Sequence, residues 1–158
     1  MAVSKTSAGI LPFRRTAEGE LEVLIGHMGG PFWAKKDERA WSIFKGEYDP
    51  GAEEPRAAAT REFAEETGRS LPPDARFVEL GEIKQRAGKT VVAWAVDAPQ
   101  LDPAGFESNT FEVEWPPRSG RMQSFPEVDR ASWLPIAEAE PKLVAAQAEF
   151  LGRLAERV

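Results

Sequence analysis

A chain of 158 residues with 42% hydrophobic and 9% aromatic content carries enough apolar mass for one core, so a single domain spanning 1–158 is expected. Its 20 basic and 26 acidic residues leave a net charge of −6, which excludes non-specific attraction to a nucleic acid polymer or an anionic membrane as its working principle. The chain contains no cysteine, excluding disulfides, thiolate zinc sites and cysteine nucleophiles. No stretch approaches the roughly 18 apolar residues of a membrane span, and "MAVSKTSAGILPFRR" lacks the apolar centre of a signal peptide; a cytoplasmic location is expected.

In chain order, "SAGILPFRR" (7–15) and "ELEVLIGHM" (20–28) read as two strands joined by the turn-like "TAEG", a hairpin. "GGPFWAKKDERAW" (29–41) combines turn formers, charge and two of the five tryptophans, and it feeds the short apolar run "WSIFKG". After the acidic segment described below, "ARFVELGEIKQR" (75–86) and "KTVVAWAVDA" (89–98) flank the turn "AGK" and predict a second hairpin. "TFEVEW" (110–115) precedes the stiff "PPRSG", then "VDRASWLP", and a helical pattern runs from about Pro141 to Arg157. There is no internal repeat, low-complexity tract or linker.

The segment "EPRAAATREFAEETG" has helix signals at both ends. Pro55 suits the first turn, Glu53 and Glu54 its positive end, and Gly68 the left-handed residue after its last turn. A helix over about 54–67 follows. With successive residues about 100° apart, Glu65 stands roughly 60° to one side of Glu62 and Glu66 roughly 40° to the other, so three carboxylates share one face. The opposite arc, Ala57, Thr60, Phe63, Ala64 and Thr67, is expected to pack on a sheet, while Ala58 and Ala59 leave the space above the acids open. A solvated acidic face is the simplest reading. Within the helix, however, none of the three glutamates has a lysine or arginine four residues later to offset it, since Arg69, four after Glu65, lies beyond Gly68. Oxygen-only donors at this spacing suit a hard divalent cation; His27 is the only histidine, so zinc and copper are poorer fits.

The stretch "GEYDPGAEEPRAAATREFAEETGRS" resembles the signature of the Nudix hydrolases. Glu53, Arg61, Glu62, Phe63, Glu65, Glu66 and Gly68 fall in register with it. Three positions depart: six residues instead of five separate Gly46 from Glu53, Arg69 replaces an apolar residue, and Phe44 replaces the proline that often precedes the Lys45-Gly46 pair. The extra residue is expected in the loop near Asp49 to Ala52, leaving the helix untouched. "GGPFWAKKDERAWS", "GEYD", "SNTFEVEWPPRSG" and "FPEVDRASW" are also similar to a group of short bacterial Nudix proteins described as nucleoside-triphosphate pyrophosphohydrolases, so the likeness covers essentially the whole chain.

The resemblance implies an α/β fold, a Nudix-type α/β/α sandwich with a mixed central sheet. It also implies hydrolysis of a nucleoside diphosphate linked to another group X, with Mg²⁺ or Mn²⁺, and homodimers are frequent in the family. By the same pattern Glu62, Glu65 and Glu66 are metal ligands with Glu66 the essential one, and Arg61 pairs with Glu53 or Glu65 to hold the face in shape. The base that activates water is either a box glutamate or an outside acid; Glu127 ranks first among the outside candidates, before Glu112 and Glu114. Lys45, Arg118 and Arg121 are candidate phosphate contacts, with solvation as the alternative. Trp33 is the candidate for stacking on a base, with Phe32 and Trp41 also nearby, whereas Trp41, Trp94 and Trp133 are assigned to the core and His27 to a structural role. Two rival readings remain: a Nudix-like sensor that binds a nucleotide or sugar-nucleotide without hydrolysing it, and a protein interaction module built on an acidic helix.

Overall fold

The computed structural model describes residues 5–158, apart from the side chain of Ala87. Two long strands, β1 (Thr6–Arg15) and β2 (Leu21–Met28), form the predicted hairpin. Both bury side chains on both faces, and the period of two sorts them. Ala8, Ile10 and Leu24 point to one core, while Leu11, Phe13, Val23 and Ile25 point to the other. Because β1 and β2 are covered on both sides, they form the middle of a sandwich.

The rest of the sheet is assembled around them. β3 (Trp41–Ser42) and β9 (Val128–Pro135) pair with β2, and β4 (Phe44–Glu47) pairs with the first half of β1. β5 (Phe77–Lys84) and β6 (Thr90–Asp97) form the second hairpin, and β6 runs parallel to β1 from Thr6↔Thr90 to Phe13↔Asp97. The sheet of seven strands is therefore mixed, as the α/β/α reading requires.

One helix covers each face. α1 (Pro55–Thr67) starts on Pro55 and ends at Gly68, whose φ of 69° lets its N–H close onto the Ala64 carbonyl. It packs Ala58, Ala59 and Phe63 against Phe44, Ile10 and Leu24. On the other face α3 (Ala148–Arg157) inserts Phe150, Leu151 and Leu154.

The chain departs from the sequence-based expectation at the C-terminal helix, which is shorter than 141–157. Leu143 and Val144 are extended after a turn, because the Trp41 N–H donates to the Lys142 carbonyl and the Val144 N–H to the Trp41 carbonyl, both at 2.9 Å. A 3-10 turn (Ala145–Gln147) follows. Gln147 there is fully buried, accepting the Ile43 N–H at 2.9 Å and donating to Ser42 and Gln85. Edge pairing and a buried amide network outweigh helical periodicity over that turn. Two elements were not foreseen: the strand β8 (Met122–Pro126), which pairs with β7 (Thr110–Glu114) as a separate two-stranded arm, and the single-turn α2 (Ile136–Ala139). Among the described residues no helix is long and apolar enough to cross a membrane.

Candidate active site

The side of α1 that faces the sheet is not the one expected. Ala57 and Ala64 are exposed, whereas Ala58, Ala59, Glu62, Phe63 and Thr67 are buried. The inward arc is thus centred near Ala59 and Glu66. This corrects the picture of an open acidic face: two small alanines let α1 lie close on β1 and β4, and that contact carries Glu62 and Glu66 inward.

Gly46 on β4 makes the arrangement possible. A Cβ at this position would lie 1.9 Å from a Glu62 carboxylate oxygen, so a larger residue would push the carboxylate out of its present place. One residue earlier, the Lys45 N–H donates to Glu66 Oε1 at 2.9 Å. The backbone of β4 therefore forms the floor beneath both carboxylates.

Arg61 organises the outer side. Its Nε and Nη2 grip both oxygens of Glu53 at 2.9 and 3.0 Å, and its Nη1 reaches Glu62 at 2.9 Å and Glu65 at 3.0 Å. Such fork-to-fork pairing is geometrically specific. It also means that Glu62 and Glu65 are not without a cation, as their i+4 neighbours had suggested. The loop leading to Glu53 absorbs the additional residue through a turn on Asp49, whose carbonyl accepts from Ala52 and Glu53 and whose side chain accepts from Gly51. The helix after it is regular.

A second loop closes the far side. The N–H groups of Glu107 and Asn109 donate to the Thr67 and Glu65 carbonyls at 2.8 Å, satisfying the exposed end of α1, and Glu127 N–H donates to the Asn109 carbonyl at 2.9 Å. These bonds bring Glu127 and Asn109 to the helix. A cleft of about 420 Å³ results, in which Lys45, Gly46, Glu62, Glu65, Glu66 and Glu127 meet. Lys5, Ser7, Glu47, Lys89 and Asn109 complete it.

Burial dominates its electrostatics. It pushes the Glu66 carboxyl up to about 8, against the nearby Lys45 charge. Burial also raises Glu62 and Glu127, and it lowers Lys45 despite the neighbouring Glu66. Glu53 is held below the ordinary carboxylate range by its bonds to Arg61. A half-buried acid that holds its proton near neutrality is one whose ionisation awaits a nearby cation.

The donor set fits a hard divalent ion, since Glu62, Glu65, Glu66 and Glu127 offer only oxygens. Among the described residues no three acids converge on one point in a metal-ligating arrangement. Arg61 stands between Glu62 and Glu65, and Glu66 turns to the Lys45 N–H.

Of the other candidates, three lie elsewhere. Trp33 packs against the hydrophobic cluster on the α3 side, with Lys36 Nζ 5.3 Å from its ring centroid, because a large apolar ring gains more from burial than from a glycine-rich loop exposed to water. Arg118 and Arg121 are exposed in and beside the β7–β8 turn, where their N–H groups bond Glu114 and Ser119. Their loop is stiff, but the arm carries it away from its own base, and only that base, Asn109 and Glu127, lines the cleft. Glu112 and Glu114 point to solvent on the same arm. His27 is fully buried between Asp129 at 2.8 Å and the Lys36 carbonyl at 2.6 Å, a structural tie. Trp41 is buried, while Trp94 and Trp133 pack at the margin of the α1-side core. Lys5, Ser7, Glu47, Lys89 and Asn109 were missed; none carries a local signal, and they are gathered by the pairing of β1 with β4 and β6 and, for Asn109, by its backbone bond to α1.

The family description NUDIX domain matches residues 4–154. The chain belongs to the Nudix hydrolase family. Solved structures agree in fold. An Ap4A hydrolase from C. elegans, in a binary complex, superposes with a TM-score of 0.63 at 20% identity, over 96% of each chain. A mutT/nudix family protein from Listeria innocua gives 0.63 at 15% identity, covering 99% of this chain and 94% of its own. The NUDIX domain of Shewanella oneidensis NrtR, complexed with ADP ribose, gives 0.58 at 17% identity, covering 99% and 89%. No curated protein matches the sequence. In this Nudix fold the cleft lies where α1, β4 and the base of the β7–β8 arm meet.

Proposed function

We propose that the chain hydrolyses a pyrophosphate linkage in a nucleoside diphosphate linked to X, by in-line attack of water, with Mg²⁺ or Mn²⁺. The observation that carries this reading is Glu66: an acid on the buried side of α1, bonded to the β4 backbone, beside Glu62 and in the same cleft as Glu127. A purely structural residue at that position would be apolar, because burying a carboxyl is costly.

Each residue has a part. Glu62, Glu65 and Glu66 would hold the cation, which when bound neutralises charge on the phosphates and acidifies water. Arg61, tied to Glu53, Glu62 and Glu65, positions those carboxylates. Lys45, on the floor, faces the anionic substrate, and Glu127 takes the proton from the attacking water; its raised affinity for protons suits a general base.

The test is release of phosphate or pyrophosphate from a panel of nucleoside triphosphates, dinucleoside polyphosphates and sugar-nucleotides, with and without chelator. Turnover that needs Mg²⁺ or Mn²⁺ and stops on chelation is expected. Activity fully retained after exhaustive chelation refutes the metal-dependent mechanism.

A further inference from the structure

The cleft has two ends of different charge. Its helix side carries Glu62, Glu65 and Glu66; its strand side carries lysines from three adjacent strands. β4, β1 and β6 are neighbours in that order. Lys45 lies opposite Gly9 on β1, whereas Lys5 precedes β1 and Lys89 precedes β6, one position before the paired Thr6 and Thr90. The Thr90 N–H donates to the Lys5 carbonyl at 2.9 Å, which fixes these two lysines side by side. Neighbouring parallel strands begin together here, so two cations stand at one rim.

Like charges placed together in this way repel unless an anion lies between them. Glu47 gives Lys5 only a long contact, 3.6 Å between two side chains that are each more than half exposed, and such a pair contributes little. From Gly9 to Lys5 is four residues of strand, about 13 Å. Measured along the backbone, this places the Lys5–Lys89 rim beyond a two-phosphate linkage held over the carboxylates and Lys45, and within reach of a longer run of phosphates. The described lining of the cleft consists of lysine, glutamate, serine, glycine and asparagine. Without an aromatic or aliphatic surface, it reads charge and not a base.

We infer that Lys5 and Lys89 form a distal phosphate subsite that selects substrates with three or more consecutive phosphates over those with two, with little regard to the base. The inference rests on the pyrophosphohydrolase reading for its catalytic consequence, but the subsite can be tested by binding alone.

The experiment compares wild-type protein with the Lys5→Gln/Lys89→Gln double variant, after melting curves confirm equal folding. Two readouts are taken with Mg²⁺: kcat/KM for a nucleoside triphosphate against a two-phosphate sugar-nucleotide, and calorimetric binding of methylene-bridged, non-hydrolysable analogues of both. The variant should lower the triphosphate-to-diphosphate ratio by at least about tenfold in both readouts, the size expected when charge-assisted contacts to phosphate are lost. A ratio within about twofold of wild type overturns the subsite. If wild type hydrolyses neither compound nor any other member of the panel above, the hydrolase reading fails, and the binding ratio still decides the subsite.

Discussion

The two helices that cover the sheet make opposite use of burial. α3 inserts Phe150, Leu151 and Leu154 into the core on its side, where each side chain stabilises the fold by removing apolar area from water. α1 buries Ala58, Ala59 and Phe63, but shares the same inward arc with Glu62 and Glu66. The acids cost stability and the alanines contribute little. One helix holds the fold together, and the other spends part of its packing surface on a reactive site, a division seen wherever function requires buried charge.

Three changes break or sharpen this contrast. The largest effect is expected from Glu66→Gln, which keeps size and helix propensity but removes the ligand or base. Its kcat should fall by about 10²–10⁴-fold, the range for a positioned proton-transfer group, while thermal unfolding stays at or slightly above the wild-type temperature. Glu54→Gln, exposed at the helix start, is the control and should change little. Near wild-type turnover by a folded Glu66→Gln protein with saturating Mg²⁺ means that this cleft is not the active site.

On the other helix the signature reverses. Leu154 is fully buried, so Leu154→Ala should destabilise by about 2–5 kcal/mol and lower the melting temperature by several degrees per kcal/mol. The folded fraction should retain wild-type KM and kcat at low temperature. A large kinetic defect at unchanged stability contradicts the division of labour.

The contrast also has a pH dependence without metal. Glu66 binds its proton more tightly in the folded state, about 8, than in the unfolded chain, near 4.3. Its contribution is therefore fully present below about pH 4 and is lost as pH rises through about 8. In chelator, the melting-temperature advantage of Glu66→Gln over wild type should grow between pH 5 and pH 8.5. A constant difference across that range shows that Glu66 does not hold a proton in the folded protein.

Locally encoded features were legible in the chain. Pro55 and Gly68 bound α1 within a residue of the expected limits, and both hairpins lie where alternation and turn residues put them. The three box glutamates are on the helix that its spacing predicted. Less legible was which side of that helix turns inward. Periodicity defines a face but not its partner; Ala58 and Ala59 set the close contact with the sheet, and Gly46, on another element, leaves space where the Glu62 carboxylate lies.

Sequence alone determined the helix, the strands around it and the kind of chemistry, because those depend on residues a few positions apart. Tertiary structure alone decided the membership of the cleft. Glu127 and Asn109 arrive through backbone bonds to the end of α1, and Lys5 and Lys89 meet because β1 and β6 run parallel from the same edge. Trp33, Arg118 and Arg121 looked equally suitable in the chain, yet one packs half-buried against the far core and two are carried outward on the β7–β8 arm. Side-chain type says what a residue can do. Strand register and the closure of distant loops, set by backbone hydrogen bonds across the whole fold, say whether it is in place to do it.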